Sequence, residues 1–347
     1  MAEELARRAQ RHGLKYVEAS SLCITRRKSG RGFLYLDASG KVIRSPKVLE
    51  RIRALVLPPA WTEVCISPDP AAHLQATGKD IEGRLQYRYH NDWTLVRDRV
   101  KAERMLRFGQ ALPKIRARIE KDLARRKTDR RYAAAVAGRL IDRALLRSGH
   151  TGSDEGGRGA TTLLNRDVQL NGTKVSLNFV GKSGKLIRKT IRDPILLTRL
   201  RNLKNRGRKH LFAFRDDDNR RCKLTAGDLN AYLREAAGKK VTAKDFRTFA
   251  ATAKALAILC ESEAPESETG RKRLVASVMR ETAETLANTP AVTRSSYVHP
   301  LVVEAFADER LSRSMLQGPV RNGLDPAETA LMRFLEVEFA QTRISAA

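Results

Sequence analysis

A change of texture near Asn91-Asp92 constrains the fold of this chain more than any other feature. Before it, apolar and polar residues alternate over short stretches; after it, apolar residues recur at helical spacing through long segments rich in Arg, Lys, Ala and Leu. A period of two does not suit a helix and a period of 3.6 does not suit a strand, so the two parts must form different kinds of layer. The chain therefore reads as α+β, with a small β-sheet-containing domain over residues 1–92 and a larger, mainly α-helical domain over 93–347. Its 347 residues agree with two domains, because single hydrophobic cores rarely grow past about 250–300 residues.

Within the first domain, Gly32-Phe-Leu-Tyr-Leu-Asp37 and Lys41-Val-Ile-Arg44 flank a turn at Gly40 and predict a β-hairpin. Residues 46–57 set Val48, Ile52 and Leu55 at helical spacing and end at Pro58-Pro59; residues 61–66 return to strand. Residues 84–90 oppose Leu85, Tyr87 and Tyr89 to Arg84, Gln86, Arg88 and His90, which predicts a strand with one packed and one polar face.

In the larger domain, residues 131–148 predict a helix that delivers Arg147 at its C-terminal end, with Gly149 as its stop. Asn171-Gly172 between two apolar runs is a strong two-residue hairpin signal, and Gly181-Lys-Ser-Gly184 makes a second turn. A three-stranded meander follows, with Lys182 on its second turn. Helices are expected over 193–205, 225–238, 242–259 and 271–286, with two more over 301–306 and 326–339.

Charge narrows the partner. Lys and Arg outnumber Asp and Glu by 67 to 39, a formal net charge of +28, which points to a polyanion. No long apolar run or basic amphipathic anchor appears, so nucleic acid is favoured over a membrane. The first residues lack the apolar stretch of a signal peptide, and a cytoplasmic, nucleoid-associated protein is expected. Cys23, Cys65, Cys222 and Cys260 lie far apart and have no metal-ligand spacing, and lone histidines such as His73 are better read as hydrogen-bonded side chains. No metal, cofactor or nucleotide is expected, the last because no Gly-x-x-x-x-Gly-Lys-Ser/Thr loop is present.

The segment from Leu286 to Pro300, Leu-Ala-Asn-Thr-Pro-Ala-Val-Thr-Arg-Ser-Ser-Tyr-Val-His-Pro, presents Tyr297 outside any clean apolar period. A tyrosine alone is far more often structural than chemical, and a turn lysine is ordinarily a mobile surface group. Their company changes the weighing: Arg147, Lys182, Arg247 within Lys244-Asp-Phe-Arg-Thr248, Asn288 and Tyr297 follow one another in that order. The set resembles a type IB DNA topoisomerase of the compact bacterial and poxvirus-like kind. The resemblance extends from about Gly13 to Pro300 and includes Leu57-Pro-Pro-Ala-Trp61 and the run from Gln75 to Tyr89, which is similar to the family's DNA-clamping domain.

That resemblance implies double-stranded DNA as the partner, bound by a monomer that clamps the duplex. It implies Arg84, Gln86, Tyr87, Tyr89 and Lys244 as DNA contacts and the five-residue set as the catalytic machinery. Cutting and rejoining DNA without a nucleotide requires that the phosphodiester energy be kept in a covalent link, and the phenol of Tyr297 suits that task. Arg147 and Arg247 would take the charge on the non-bridging oxygens, since a guanidinium binds them in pairs and stays ionised. Lys182 would protonate the departing 5′ oxygen, and Asn288, where poxvirus members have histidine, would give a neutral donor. The stretch after Arg147 is shorter and richer in glycine than the family's pattern. Two other readings are a tyrosine recombinase, which normally carries His-x-x-Arg where this chain has Lys-Asp-Phe-Arg, and a non-catalytic basic DNA-binding protein.

Overall fold

The computed structural model of the chain describes residues 2–149, 157–206 and 209–344. The chain divides into two compact units, residues 1–101 and 102–347, the division falling within one long helix.

The first unit opens with α1 (Ala2–Arg11) and contains an antiparallel sheet of β1 (Ile24–Ser29), β2 (Gly32–Leu36), β3 (Thr62–Ile66), β4 (Leu74–Lys79) and β5 (Leu85–Tyr89), in the order β2-β1-β3-β4-β5. Between β2 and β3 lies α2 (Pro46–Ala54), with proline at its start, where no amide partner is lost. Ile52 of α2 packs with Ile24, Val64, Ile66 and Ala76 of the sheet. The hairpin is β1–β2, turning at Gly30 (φ 54°), whereas residues 41–44 give only a bridge from Val42 to Leu36. The apolar alternation of the second predicted arm is thus used beside the sheet edge rather than in it. Sequence reading passed over β4, because most of its residues are buried on both faces and no alternation marks it.

Helix α3 (Trp93–Leu123) begins in this unit, where Trp93 and Val96 pack with Ala9 and Leu14. His73 is buried there, stacked on Tyr16 at 4.3 Å and accepting the Val17 amide at 3.1 Å, a hydrogen-bonded core histidine. On β5 the expected packed face is only partly covered: Tyr89 packs with Ala9, Leu14, Trp93 and Val96, but Leu85 is 49% and Tyr87 47% exposed. Tyr87 stacks instead on Tyr89, whose ring lies 5.3 Å from the Arg97 guanidinium. Strand β5 is an edge strand paired only with β4, and among the described residues no element covers Leu85 and Tyr87.

The second unit is built around α4 (Arg130–Ala144), an alanine-rich helix buried along most of its length. Small side chains let neighbouring elements approach it closely. Beyond it come the meander β6 (Val168–Asn171), β7 (Lys174–Val180) and β8 (Leu186–Arg192), then α5 (Pro194–Arg206) and a short hairpin of β9 (Ala213–Arg215) and β10 (Arg221–Lys223). Helices α6 (Ala226–Ala237), α7 (Ala243–Glu261), α8 (Glu268–Leu286), α9 (Pro290–Ser296), α10 (Pro300–Ala307) and α11 (Pro326–Ile344) complete it. Both α6 and α7 start at capping boxes, Thr225 with Asp228 and Thr242 with Asp245.

Much of the basic run on α3 and α4 is structural. Arg116 donates to Asp142 and Glu328, joining α3, α4 and α11, and Arg104 grips Asp245 through two bonds of 2.7 and 2.8 Å. Those guanidiniums are committed to carboxylates and are less available to phosphate than free ones would be. Among the described residues, no helix is long and apolar enough to cross a membrane, and no group of three or more His, Cys, Asp and Glu has the placement to hold a metal ion.

Candidate active site

Two helix ends make the site. Helix α4 finishes at Ala144 because Leu145 turns left-handed (φ 52°) and returns its amide to Ile141, so the helix stops short of Gly149 and Arg147 projects from the following loop. Helix α8 finishes in the same manner at Ala287 (φ 51°), and the Asn288 amide bonds back to Ala283 at 2.9 Å. Both ends present unpaired carbonyls with the negative pole of the helix behind them.

Two cations bridge these ends. Arg247, on the second turn of α7 and only 3% exposed, donates to the Leu145 carbonyl and, at 3.2 Å, to that of Leu286. Lys189 on β8 donates to the Ala144 and Thr285 carbonyls at 2.5 and 2.6 Å. In front of them Arg147 Nη2 bonds Asn288 Oδ1 at 3.1 Å, while Lys185 reaches the Asn288 carbonyl at 2.8 Å. The Asn288 Nδ2 is buried with no partner among the described residues, a donor left over for a ligand oxygen.

These groups line a cleft of about 410 Å³, which Arg147, Arg158, Lys182, Lys185 and Asn288 share. Lys182 stands at the exposed tip between β7 and β8, as the turn glycines required. The segment 157–161 laces this hairpin to the loop after α4: the Arg158 amide bonds Val180, and the Ala160 amide bonds Arg147. A Cβ at Gly157 would stand 2.5 Å from the Lys182 nitrogen, and one at Gly159 would stand 2.6 Å from the Arg147 oxygen, so both backbones approach too closely for any other residue. Residues 150–156 of the glycine-rich stretch lie outside those described.

Tyr297 follows α9 and does not line the cleft; it is 6% exposed and packs behind Arg247, whose guanidinium lies 4.7 Å from its ring. Burial pushes the phenol up. The charge of Arg247, with those of Arg147 and Lys244, outweighs burial and holds it below its ordinary value. Its carbonyl accepts from Thr252 Oγ1 at 3.1 Å, which anchors this segment to α7.

The structure thus brings Arg147, Lys182, Arg247 and Asn288 to one cleft and sets Tyr297 against Arg247. Lys244 is exposed on the first turn of α7, while Arg84, Gln86, Tyr87 and Tyr89 belong to β5 of the first unit. There Gln86 donates to Asp80 at 2.7 Å and Arg84 pairs with Glu82.

Sequence reading missed Lys189. Burial and the nearby charge of Arg247 bring its ammonium down to about 8, whereas Lys182 stands exposed at the hairpin tip. The signal was present, since Lys189 falls between Ile187 and Ile191 on the inward register of β8. Arg158, paired with Asp167 at 2.8 Å, was also passed over; nothing in its glycine-rich surroundings marks it.

Residues 90–314 match the family described as eukaryotic DNA topoisomerase I, catalytic core, and residues 32–80 match the bacterial DNA topoisomerase IB N-terminal domain. The chain is also 29% identical over 292 residues to a protein of Acanthamoeba polyphaga mimivirus named DNA topoisomerase 1B, covering 82% of this chain and 87% of that one.

Proposed function

We propose that this chain, which belongs to the type IB DNA topoisomerase family and is an isomerase acting on DNA, relaxes supercoiled duplexes through a covalent link at Tyr297. One strand is cut, rotates about its intact partner and is resealed, with no ATP and no metal ion. The observation that carries the reading is the placement of Arg247, which is held between two helix ends with its guanidinium 4.7 Å from the ring of a buried tyrosine.

A phosphodiester in the cleft meets Arg147, Arg247 and the unpartnered Asn288 Nδ2 on its non-bridging oxygens. The Tyr297 side chain, packed behind Arg247 in the free protein, comes forward to the bound phosphate; its oxygen attacks phosphorus, its proton passes to water, and the bond from phosphorus to the 5′ oxygen breaks. Lys182 gives that oxygen its proton, becoming desolvated when DNA covers the hairpin tip. A 3′-phosphotyrosyl link and a free 5′-hydroxyl result. Reversal regenerates the strand, because a phenolate is a good leaving group and the link keeps the bond energy. Arginine charge on the transferring group contributes on the order of 10³–10⁵ in rate in phosphoryl transfer, a term that needs no ion beyond the side chains. Residues 1–92 contribute Arg84, Gln86, Tyr87 and Tyr89 to the duplex, and a single copy of the chain suffices.

Supercoiled plasmid incubated with the protein in EDTA, without ATP, should relax stepwise. Denaturation during relaxation should trap DNA on Tyr297 through its 3′ end. Tyr297→Phe should bind DNA and form no adduct; an adduct mapped to another residue, or undiminished relaxation by this variant, overturns the assignment.

A further inference from the structure

Lys189 occupies a position where the fold asks for an apolar side chain. It sits between Ile187 and Ile191 on the face of β8 that meets the helices, and it has no carboxylate partner among the described residues. What it has is two carbonyls, Ala144 in the last turn of α4 and Thr285 in the last turn of α8. The loops leaving those turns carry Arg147 and Asn288, whose side chains bond each other at 3.1 Å. We propose that Lys189 is a positioning residue for strand cleavage, its ammonium clamping the C-terminal ends of α4 and α8 together and so setting the spacing of Arg147 and Asn288.

The clamp is charge-assisted. Each helix end offers roughly half a negative charge, so the two ends supply about one charge to be shared by Lys189 and Arg247. Burial, and after it the charge of Arg247, bring the ammonium down to about 8 in spite of that negative charge. The charged groups around it are Arg247 and Lys254 on α7, Arg147 after α4, Arg158 on the segment that laces the hairpin, and Lys182 and Lys185 on its own hairpin. Lys254 is itself paired with Glu281 of α8 at 3.1 Å and donates to Thr285 Oγ1 at 2.8 Å. Loss of the Lys189 proton removes the charge-assisted part of both bonds and loosens the two loops.

The inference rests on the phosphotyrosyl reading, and its test separates the two. Adduct formation is followed in a single turnover on a nicked duplex at saturating DNA, for the wild type, Lys189→Met and Lys189→Arg, with hydrogen exchange of residues 145–149 and 287–289 measured on the free proteins. Near neutral pH, Lys189→Met should slow the adduct by about tenfold or more while the Kd for uncleaved duplex moves less than about threefold. Lys189→Arg should keep most of the rate, and it should hold that rate at about pH 9.5, where the wild type falls. Exchange in both segments should quicken in Lys189→Met. Wild-type cleavage and exchange by Lys189→Met, or an alkaline fall in Lys189→Arg equal to that of the wild type, overturns the clamp. If Lys189→Met does not fold, the pH profile of Lys189→Arg decides alone. Absence of an adduct in the wild type is instead the failure of the phosphotyrosyl reading, and the exchange data then decide the clamp.

Discussion

Substituting Lys189 by Met should reveal a stability term that rises with pH while cleavage falls. The lysine's reference value is 10.5 and its value in the fold is about 8. At ~1.4 kcal/mol for each pH unit between them, the ionised side chain costs the folded state on the order of 3 kcal/mol. The direction follows from proton counting. Between about pH 8 and 10.5 the unfolded chain keeps the proton and the folded chain has lost it, so the unfolded state binds more protons and stability increases with pH across that window. Below the window the full cost is present, and above it the cost is gone. Methionine fills nearly the same space without a charge, and the two carbonyls it leaves unpaired add a penalty that does not vary with pH. The assay is urea unfolding of wild type and Lys189→Met at several pH values from neutral to about 10.5, read as the difference between them so that other titrations cancel. That difference should move in favour of the wild type by roughly 3 kcal/mol across the window. A flat difference, or one of the opposite sign, refutes the claim that this ammonium is buried at a cost.

Arg247→Lys keeps a charge but cannot span both helix ends, so it should lose a charge-assisted bond of roughly 1.5–3 kcal/mol in urea unfolding and slow single-turnover cleavage by about 10²–10³. Gly157→Ala forces a Cβ to within 2.5 Å of the Lys182 nitrogen, so the hairpin must shift. Stability should fall by about 1–3 kcal/mol and cleavage by more than duplex binding, whereas equal falls in both would remove the hairpin from the chemistry. With a net charge of +28, engagement of six to ten phosphates should weaken duplex binding by roughly 10³–10⁵ between about 50 and 200 mM salt. A shallow slope in a salt titration rules out phosphate-dominated binding.

Local chemistry was legible in the residues themselves. Asn171-Gly172 permits the turn that joins β6 to β7, Gly181 and Gly184 set Lys182 at a hairpin tip, and Thr225 with Asp228 and Thr242 with Asp245 start α6 and α7. Each such signal is written within a few residues, because turns and caps are settled by the dihedral preferences and hydrogen bonds of neighbours. The order of Arg147, Lys182, Arg247, Asn288 and Tyr297 was legible for a different reason, as a likeness to a family rather than as geometry. Burial was not legible, because it is decided by partners far away in the chain. Tyr297 looks like a polar-loop residue until α7 packs over it, and β5 looks half-buried although nothing among the described residues covers Leu85 and Tyr87. Arg247 and Lys189 acquire their roles from carbonyls of α4 and α8 that only tertiary packing brings to them. Sequence specified which groups were available. Long-range packing determined which of them lost water, and loss of water beside Arg247 is what brings the Lys189 ammonium down to about 8.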